Sequence, residues 1–286
     1  MKVLDLFKVR PQAGDIGIEI EVEGYNFEGA EGWKVVLDHS LGRGVEYVLG
    51  IPCKIWEVDD FLSYVEEAVE KGDRVQSVRA GVHVHINVQE LNVVQLYTFI
   101  TAYLCYEDAL VKWCGPEREG NLFCLRARDA EFLLDFIIKS IKTGKMDKHL
   151  NHDDLRYASI NLKSIFTYGS LEFRAMRSDG DFDGLSRWIK MLYALKTNSI
   201  KFANPAELIN GLSEMSIPNL TDSLFGDMAD EVKCVPDYTN LVIDCVRGSA
   251  QDIAFCVNWE EHFKRKATLN PFQIAGGLAN EGRVWL

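Results

Sequence analysis

No segment of the chain is both long and apolar enough to cross a membrane. The longest uncharged run, Leu91 to Tyr106, is short of a span and carries Asn92, Gln95, Thr98 and Thr101. The start, MKVLDLFKVR, has Asp5 where a signal peptide would be apolar. Basic charge is also short: 31 Lys and Arg face 43 Asp and Glu, a net charge of −12, which excludes bulk nucleic-acid binding through a basic stripe. The seven cysteines include no CxxC pair, so neither a disulfide framework nor a thiolate zinc site is expected, and they read as buried thiols in a reducing compartment. There is no glycine-rich phosphate loop. Gly42-Arg43-Gly44 lacks the third glycine and the strand-to-helix setting, and Gly276-Gly277 has no lysine. Internal repeats and low-complexity linkers are absent too. A soluble, cytoplasmic chain follows as the expectation, and Asn219-Leu220-Thr221 then matches a glycosylation sequon by accident.

What is present is a globular composition, 47% hydrophobic and 26% charged over 286 residues, enough for one large domain or two small ones. Strands are predicted over 15–24, 33–37, 44–49, 81–88, 157–162 and 170–174. Helices are predicted over 57–71, about 91–113, and from an Asp129 cap to about Lys142. From about Phe182 onward the pattern is helical. Short turns between strands and a helical last third predict an α+β fold, not a doubly wound parallel sheet. The expected division is a core over 1–200 and a helical extension over 201–286 packed on it.

Successive side chains of a strand face opposite sides of a sheet. Ile16, Ile18, Ile20 and Val22 therefore share one face, while Gly17, Glu19, Glu21 and Glu23 share the other. Val82, Val84, Ile86 and Val88 oppose His83, His85 and Asn87. Ala158, Ile160 and Leu162 oppose Ser159, Asn161 and Lys163, and Leu171 and Phe173 oppose Glu172 and Arg174. One face is oily. The other holds carboxylates, imidazoles, an amide and an arginine. A solvated face would mix Lys, Thr, Ser and Gln with its acids. Here the first strand offers acids alone, and three carboxylates in a row repel unless a cation neutralises them. Carboxylates with an occasional imidazole are ligands for Mg²⁺ or Mn²⁺. Asp38-His39-Ser40 names three residue types of a hydrolase triad, but neighbours in one turn cannot adopt that geometry.

The polar residues recur in a fixed order. Gly17-Ile18-Glu19-Ile20-Glu21 is followed by Asp38-His39-Ser40-Leu41-Gly42-Arg43-Gly44-Val45-Glu46, then Gly81-Val82-His83-Val84-His85-Ile86-Asn87, Arg156 to Leu162 and Gly169-Ser170-Leu171-Glu172-Phe173-Arg174. Over about residues 14–177 this series resembles the amidoligase family, a branch of the glutamine-synthetase-like carboxylate–amine ligases that includes glutamate–cysteine ligase. The resemblance implies a curved antiparallel sheet with helices on its convex face and the site on the concave one. It implies an ATP-dependent ligase that forms an amide or isopeptide bond through an acyl phosphate, with Mg²⁺ or Mn²⁺ as cofactor. Its substrates would be a small-molecule or peptide carboxylate and an amine or ammonia. Glu19 and Glu21 would serve different metal ions, Glu46 joining Glu21, and His83 and Glu172 joining Glu19. His85 would lie near the nucleotide phosphates, and Asn161 is a family position without an assigned partner. Arg174 and Arg156 would hold phosphate or the substrate carboxylate, and Asp38 and Ser40 would shape the substrate loop.

Two other readings compete. A cupin-like metal-dependent oxygenase or hydrolase would use His83 and His85, but its third histidine would have to come from His149 or His152, beyond two predicted helices. A binding protein that kept the sheet and lost the site would not retain every polar position. Specificity is expected from loops 24–32, 115–128 and 145–156, and Glu23 and Asp38 are candidates to take the amine's proton.

Overall fold

The computed structural model describes residues 1–38 and 41–268. Seven strands form one sheet: β1 (Ile16–Tyr25), β2 (Trp33–Leu37), β3 (Gly44–Leu49), β4 (Asp73–Val75), β5 (Gly81–Asn87), β6 (Ile160–Asn161) and β7 (Ser170–Arg177). Their order is β2-β3-β1-β5-β7-β6, β4 pairs the far end of β1, and every pairing is antiparallel. The long alternating β1 sits at the centre. The helices begin with α1 (Val3–Phe7), α2 (Val58–Lys71), α3 (Val93–Trp113), α4 (Glu131–Thr143), α5 (Met146–Leu150), α6 (Ser164–Tyr168) and α7 (Phe182–Ser199). They continue with α8 (Pro205–Glu214), α9 (Ile217–Phe225), α10 (Ala229–Lys233), α11 (Tyr238–Cys245), α12 (Gln251–Ala254) and α13 (Trp259–Thr268). Helices combined with an antiparallel sheet make the fold α+β.

The oily face of the sheet is where the alternation predicts it. Ile16, Ile18, Ile20 and Val22, with Val82, Val84, Ile86, Leu171 and Phe173, are all buried in one hydrophobic cluster. The uncharged run around Leu91–Tyr106 lies in α3, buried along nearly its whole length, which explains its lack of a polar face. Asn92 caps it: its side chain accepts from the Gln95 N–H, and Gln95 reciprocates. Phe173 lies between the Phe99 and Tyr103 rings of α3, at 5.7 and 4.9 Å. Residues beyond 200 join the same cluster through Leu208, Leu220, Leu224, Val242 and Ile253. Among the described residues no helix is long and apolar enough to cross a membrane. The seven cysteines are free and five are buried; Cys234 is exposed.

Three local expectations differ from the structure. Asp129 does not cap α4; the N-cap position falls on Ala130, which offers no side-chain cap, and Asp129 accepts from Arg126 Nε at 2.8 Å instead. The strand expected over 157–162 contracts to Ile160–Asn161, because Asp153–Tyr157 winds into a 3₁₀ turn, and the turn before Gly169 is the short α6, closed by Gly169 at φ 68°. Ser159 faces the helices, not the polar face. Its hydroxyl bonds the Glu107 carboxylate and Tyr103 of α3, while its backbone is held between Leu125 and Arg174.

Glu107 carries a consequence for stability. Burial pushes its carboxyl up to about 7, against the opposing hydrogen bonds of Ser159 and the Ala127 N–H. The folded protein then holds a proton that the unfolded chain releases near the ordinary value of 4.5. This stabilisation is fully present below about pH 4.5 and is lost as pH rises through about 7, a change of about 3 kcal/mol. Glu107→Gln is therefore expected to flatten that part of the stability profile. Urea melts at pH 5 and pH 7.5 check it: equal slopes in both proteins would assign the titration to another group.

Candidate active site on the polar sheet face

Cross-strand register brings the polar residues into three rows. Gly17, His85, Glu172 and Asn161 lie across β1, β5, β7 and β6. Val48, Glu19 and His83 lie across β3, β1 and β5, and Val36, Glu46 and Glu21 across β2, β3 and β1. Gly17 has a steric role, since a Cβ there would approach the His85 Cβ to 3.2 Å. Within a row, residues on paired strands stand about 5 Å apart, and successive rows lie two residues, about 7 Å, apart along a strand, so long acidic side chains from neighbouring rows converge.

His83 is the point of convergence. Its Nδ1 lies 3.1 Å from Glu19 Oε2 and 3.8 Å from Glu172 Oε1, and its Nε2 lies 3.6 Å from Glu21 Oε1. Two sets of potential ligand atoms result, Glu19–His83–Glu172 and Glu21–Glu46–His83, each with its atoms within 4.8 Å of one another. Both sets combine two carboxylates with an imidazole, a donor chemistry that fits Mg²⁺ or Mn²⁺. Around them, the Asn161 amide donates to Glu172 Oε2 at 2.7 Å, and the Gly81 N–H donates to Glu21 Oε2 at 2.7 Å. His85 lies 3.5 Å from Glu19 Oε1, with its other nitrogen 3.0 Å from Ser170 Oγ and its ring edge-on to Tyr168 at 5.5 Å.

The electrostatics follow this arrangement. Burial would raise Glu19, but the hydrogen bonds and charge of His83 and His85 outweigh it and hold the carboxyl below the ordinary range. Glu172 is also held low, burial being outweighed by His85, His83 and Arg174. His85 is raised: burial would lower it, and Glu19 and Glu172 prevail. For Glu46 the charge of His83 is too little to offset the opposing causes. Burial, reinforced by the charges of Glu19, Glu21 and Asp38, pushes it up to about 7.

Arg174 pairs with Glu172 through Nη1, which also lies 3.5 Å from His83 Nδ1, and its Nε donates to the Phe123 carbonyl at 3.4 Å. Asp38 follows β2, half-buried and close enough for its charge to act on Glu46. Ser40 lies outside the described residues. Arg156 is exposed, its guanidinium 5.2 Å from the Tyr157 ring, and among the described residues no hydrogen bond or ion pair joins it to either ligand set. Glu23 accepts from the Gly42 N–H at 3.1 Å. Loop 115–128 is anchored to α3 by Asp108 with Arg126 and Arg128, and by Glu107 with Ala127. Sequence reasoning missed Ser170, Tyr168 and the Gly81 N–H as neighbours of the site, and also Arg118 beneath it. Nothing in the spacing marks Arg118.

The other described histidines stay apart. His149 is in α5 with Lys148, Lys139 and Asp135 among its charged neighbours, His152 pairs with Asp154 and packs on Phe136, and His262 contacts the Ile141 carbonyl. A three-histidine centre of the cupin type therefore does not form among the described residues.

A sheet of this topology, with two carboxylate–imidazole sets beside an arginine, defines an α+β protein whose polar sheet face gathers acidic and imidazole side chains. The family model described as "Putative amidoligase enzyme" matches residues 29–196, more than half of the chain, and the chain belongs to this amidoligase family. Amidoligases are ligases that join a carboxylate to an amine through a C–N bond. The match includes β3, β5, β6 and β7; β1, with Glu19 and Glu21, precedes it and enters the site by pairing with β3 and β5. No curated protein matches the chain.

Proposed function

We propose that this protein is an ATP-dependent carboxylate–amine ligase working through an acyl phosphate, with a glutamine-synthetase-like site on the polar sheet face. The observation that carries the reading is the pair of ligand sets sharing His83 with Arg174 beside them. Joining a carboxylate to an amine in water is uphill, so the carboxylate must be activated. Its oxygen attacks the γ-phosphorus of ATP, the bond to the β-phosphate oxygen breaks, and ADP leaves. The amine then attacks the acyl carbon, phosphate departs with the C–O bond electrons, and the amine loses a proton. Two anions must meet in the first step, and Mg²⁺ or Mn²⁺, when bound, supplies charge neutralisation for both.

The chain's own residues divide the remaining work. Glu19, His83 and Glu172 would hold one ion, and Glu21 and Glu46, with His83 beside them, the other. Arg174 carries a planar fork suited to phosphate oxygens. His85, raised and next to Glu19, offers a further donor to the nucleotide. Asp38 sits beside Glu46 at the edge where the amine would enter. The acid and amine would be selected by loops such as 115–128.

The test is phosphate release from ATP over a panel of carboxylates and amines, with the product weighed by mass spectrometry. Amide formation without ATP, or no ATP binding in the presence of Mn²⁺, would overturn the reading. The raised Glu46 adds a separate check. Metal binding requires the carboxylate form, so Mn²⁺ affinity is expected to climb as pH rises toward about 7 and then level off, with proton release below that point. Calorimetry in buffers of different ionisation enthalpy measures the released proton. Glu46→Gln should remove it, and an unchanged proton count in that variant would take Glu46 out of the site.

A further inference from the structure

We propose that Arg118 is a positioning residue for Arg174, acting through a bulge in β7; the inference rests on the ligase reading for its functional meaning, though not for its geometry. Val82 pairs with Met176 and Val84 with Phe173, so His83 alone faces both Arg174 and Ala175. One extra residue in β7 breaks the ladder there and resets the alternation. Arg174 stays on the polar face, Met176 returns to the core, and Arg177 comes opposite Gly81.

A bulge leaves backbone groups without ladder partners, and buried carbonyls need donors. Arg118 supplies them. It ends the 3₁₀ turn Pro116–Arg118 after α3, and it is only 2% exposed. Its Nη2 donates to the Arg174 carbonyl at 2.7 Å and its Nε to the Ala175 carbonyl at 3.1 Å. One guanidinium fork thus satisfies both bulge residues. Its Nη1 is buried without a hydrogen-bond partner, and no carboxylate among the described residues lies within ion-pair distance. A buried cation without a counter-ion is a poor way to stabilise a fold. The two bonded nitrogens of Arg118 are committed to the carbonyls of Arg174 and Ala175, which places the bulge.

The same loop grips Arg174 from its other end, because the Phe123 carbonyl accepts from Arg174 Nε. Backbone and side chain of Arg174 are therefore both held by segment 116–123. Gly81 completes the arrangement: a Cβ there would stand 3.1 Å from Arg118 Nη2. A side chain at that position would press on the fork.

The experiment compares Arg118→Lys, Arg174→Lys, the double variant and Gly81→Ala. Lysine keeps the charge but cannot serve two carbonyls as a planar fork does. The probes are Mn²⁺ alone and Mn²⁺ with ATP, by calorimetry, and the Arg174 Nε–Hε NMR signal, assigned by its loss in Arg174→Lys. Expected for Arg118→Lys is Mn²⁺ affinity within about threefold of wild type and Mn²⁺–ATP affinity down about tenfold or more, the usual scale for a residue supporting a ligand from behind. The double variant should lose no more than Arg174→Lys alone, and Gly81→Ala should shift the Arg174 signal in the same direction as Arg118→Lys. Additive losses would overturn the proposal, since Arg118 would then act independently of Arg174. An unmoved Arg174 signal in Arg118→Lys would overturn it too. If the wild type binds no ATP, the ligase reading fails while the NMR arm still decides the positioning role.

Discussion

His83→Gln is expected to lower ATP-dependent phosphate release by about 10³-fold or more, beyond the effect of removing any single carboxylate. The reason is its position. It is the one side chain common to both ligand sets, with one ring nitrogen toward Glu19 and Glu172 and the other toward Glu21. Glutamine offers a single amide in place of two ring nitrogens. Glu172→Gln and Glu46→Gln each touch one set, and each is expected to cost about 10²-fold in turnover. Mn²⁺ titration separates these cases: two ions for the wild type, one for each glutamate variant, and weakened binding at both positions for His83→Gln. If His83 were only a hydrogen-bonded core histidine, its replacement would leave Mn²⁺ stoichiometry untouched, and turnover would fall no further than stability does.

Glu172 also illustrates how burial alters a prediction. From the sequence alone, its glutamine variant would fold as the wild type does, and a salt-bridge role would be a surface matter. In the structure Glu172 is buried, bonded to Asn161 and paired with Arg174. Removing its charge leaves the guanidinium without its partner, a change that costs about 3–5 kcal/mol in fully buried pairs. It also relieves repulsion from Glu19. The melting temperature of Glu172→Gln therefore reports the balance of these two effects and has to be measured beside activity.

The regular ladder was legible in the sequence. Gly17-Ile18-Glu19-Ile20-Glu21 and Gly81-Val82-His83-Val84-His85 alternate without interruption, so facing residues follow from counting in twos, and β1 and β5 pair with His83 opposite Glu19. The limits of that counting are physical. Alternation holds only while the ladder is unbroken, and the adjacent apolar pair Ala175-Met176 marks where it breaks. The same limit explains Ser159, whose segment joins Leu125 and turns its hydroxyl inward to Glu107. Arg118 was invisible for another reason. Its partners are backbone carbonyls 56 and 57 residues away, and a carbonyl leaves no mark on the residue type that carries it. Arg156 was chosen by motif order, yet the 3₁₀ turn at Asp153–Tyr157 leaves it on the surface over Tyr157.

Arg174→Lys is expected to keep Mn²⁺ binding and thermal stability while cutting turnover by about 10²-fold, the loss associated with one transition-state donor. Two roles for Arg174 can be told apart by experiment. Its Nη1 pairs with Glu172 and lies 3.5 Å from His83, so it neutralises part of the acidic face. A lysine ammonium can take that role nearly as well, because a point charge near Glu172 is all it requires. The second role is to hold phosphate oxygens as charge moves toward the acyl phosphate. That role needs two parallel donors on a fixed plane, which lysine lacks. The proposed ligase reading assigns Arg174 the second role. A divalent ion, if held by Glu172, would take over that neutralisation and leave Nη1 available to phosphate, while Nε bonds the Phe123 carbonyl. The two readings diverge in one assay. Purified Arg174→Lys and wild type are melted side by side and compared for phosphate release at saturating Mn²⁺. Turnover within a few-fold of wild type would assign Arg174 to charge balance alone. A hundredfold loss at unchanged melting temperature and unchanged Mn²⁺ stoichiometry would assign it to the phosphoryl group, because loss of the Phe123 contact as a structural tie would lower the melting temperature as well.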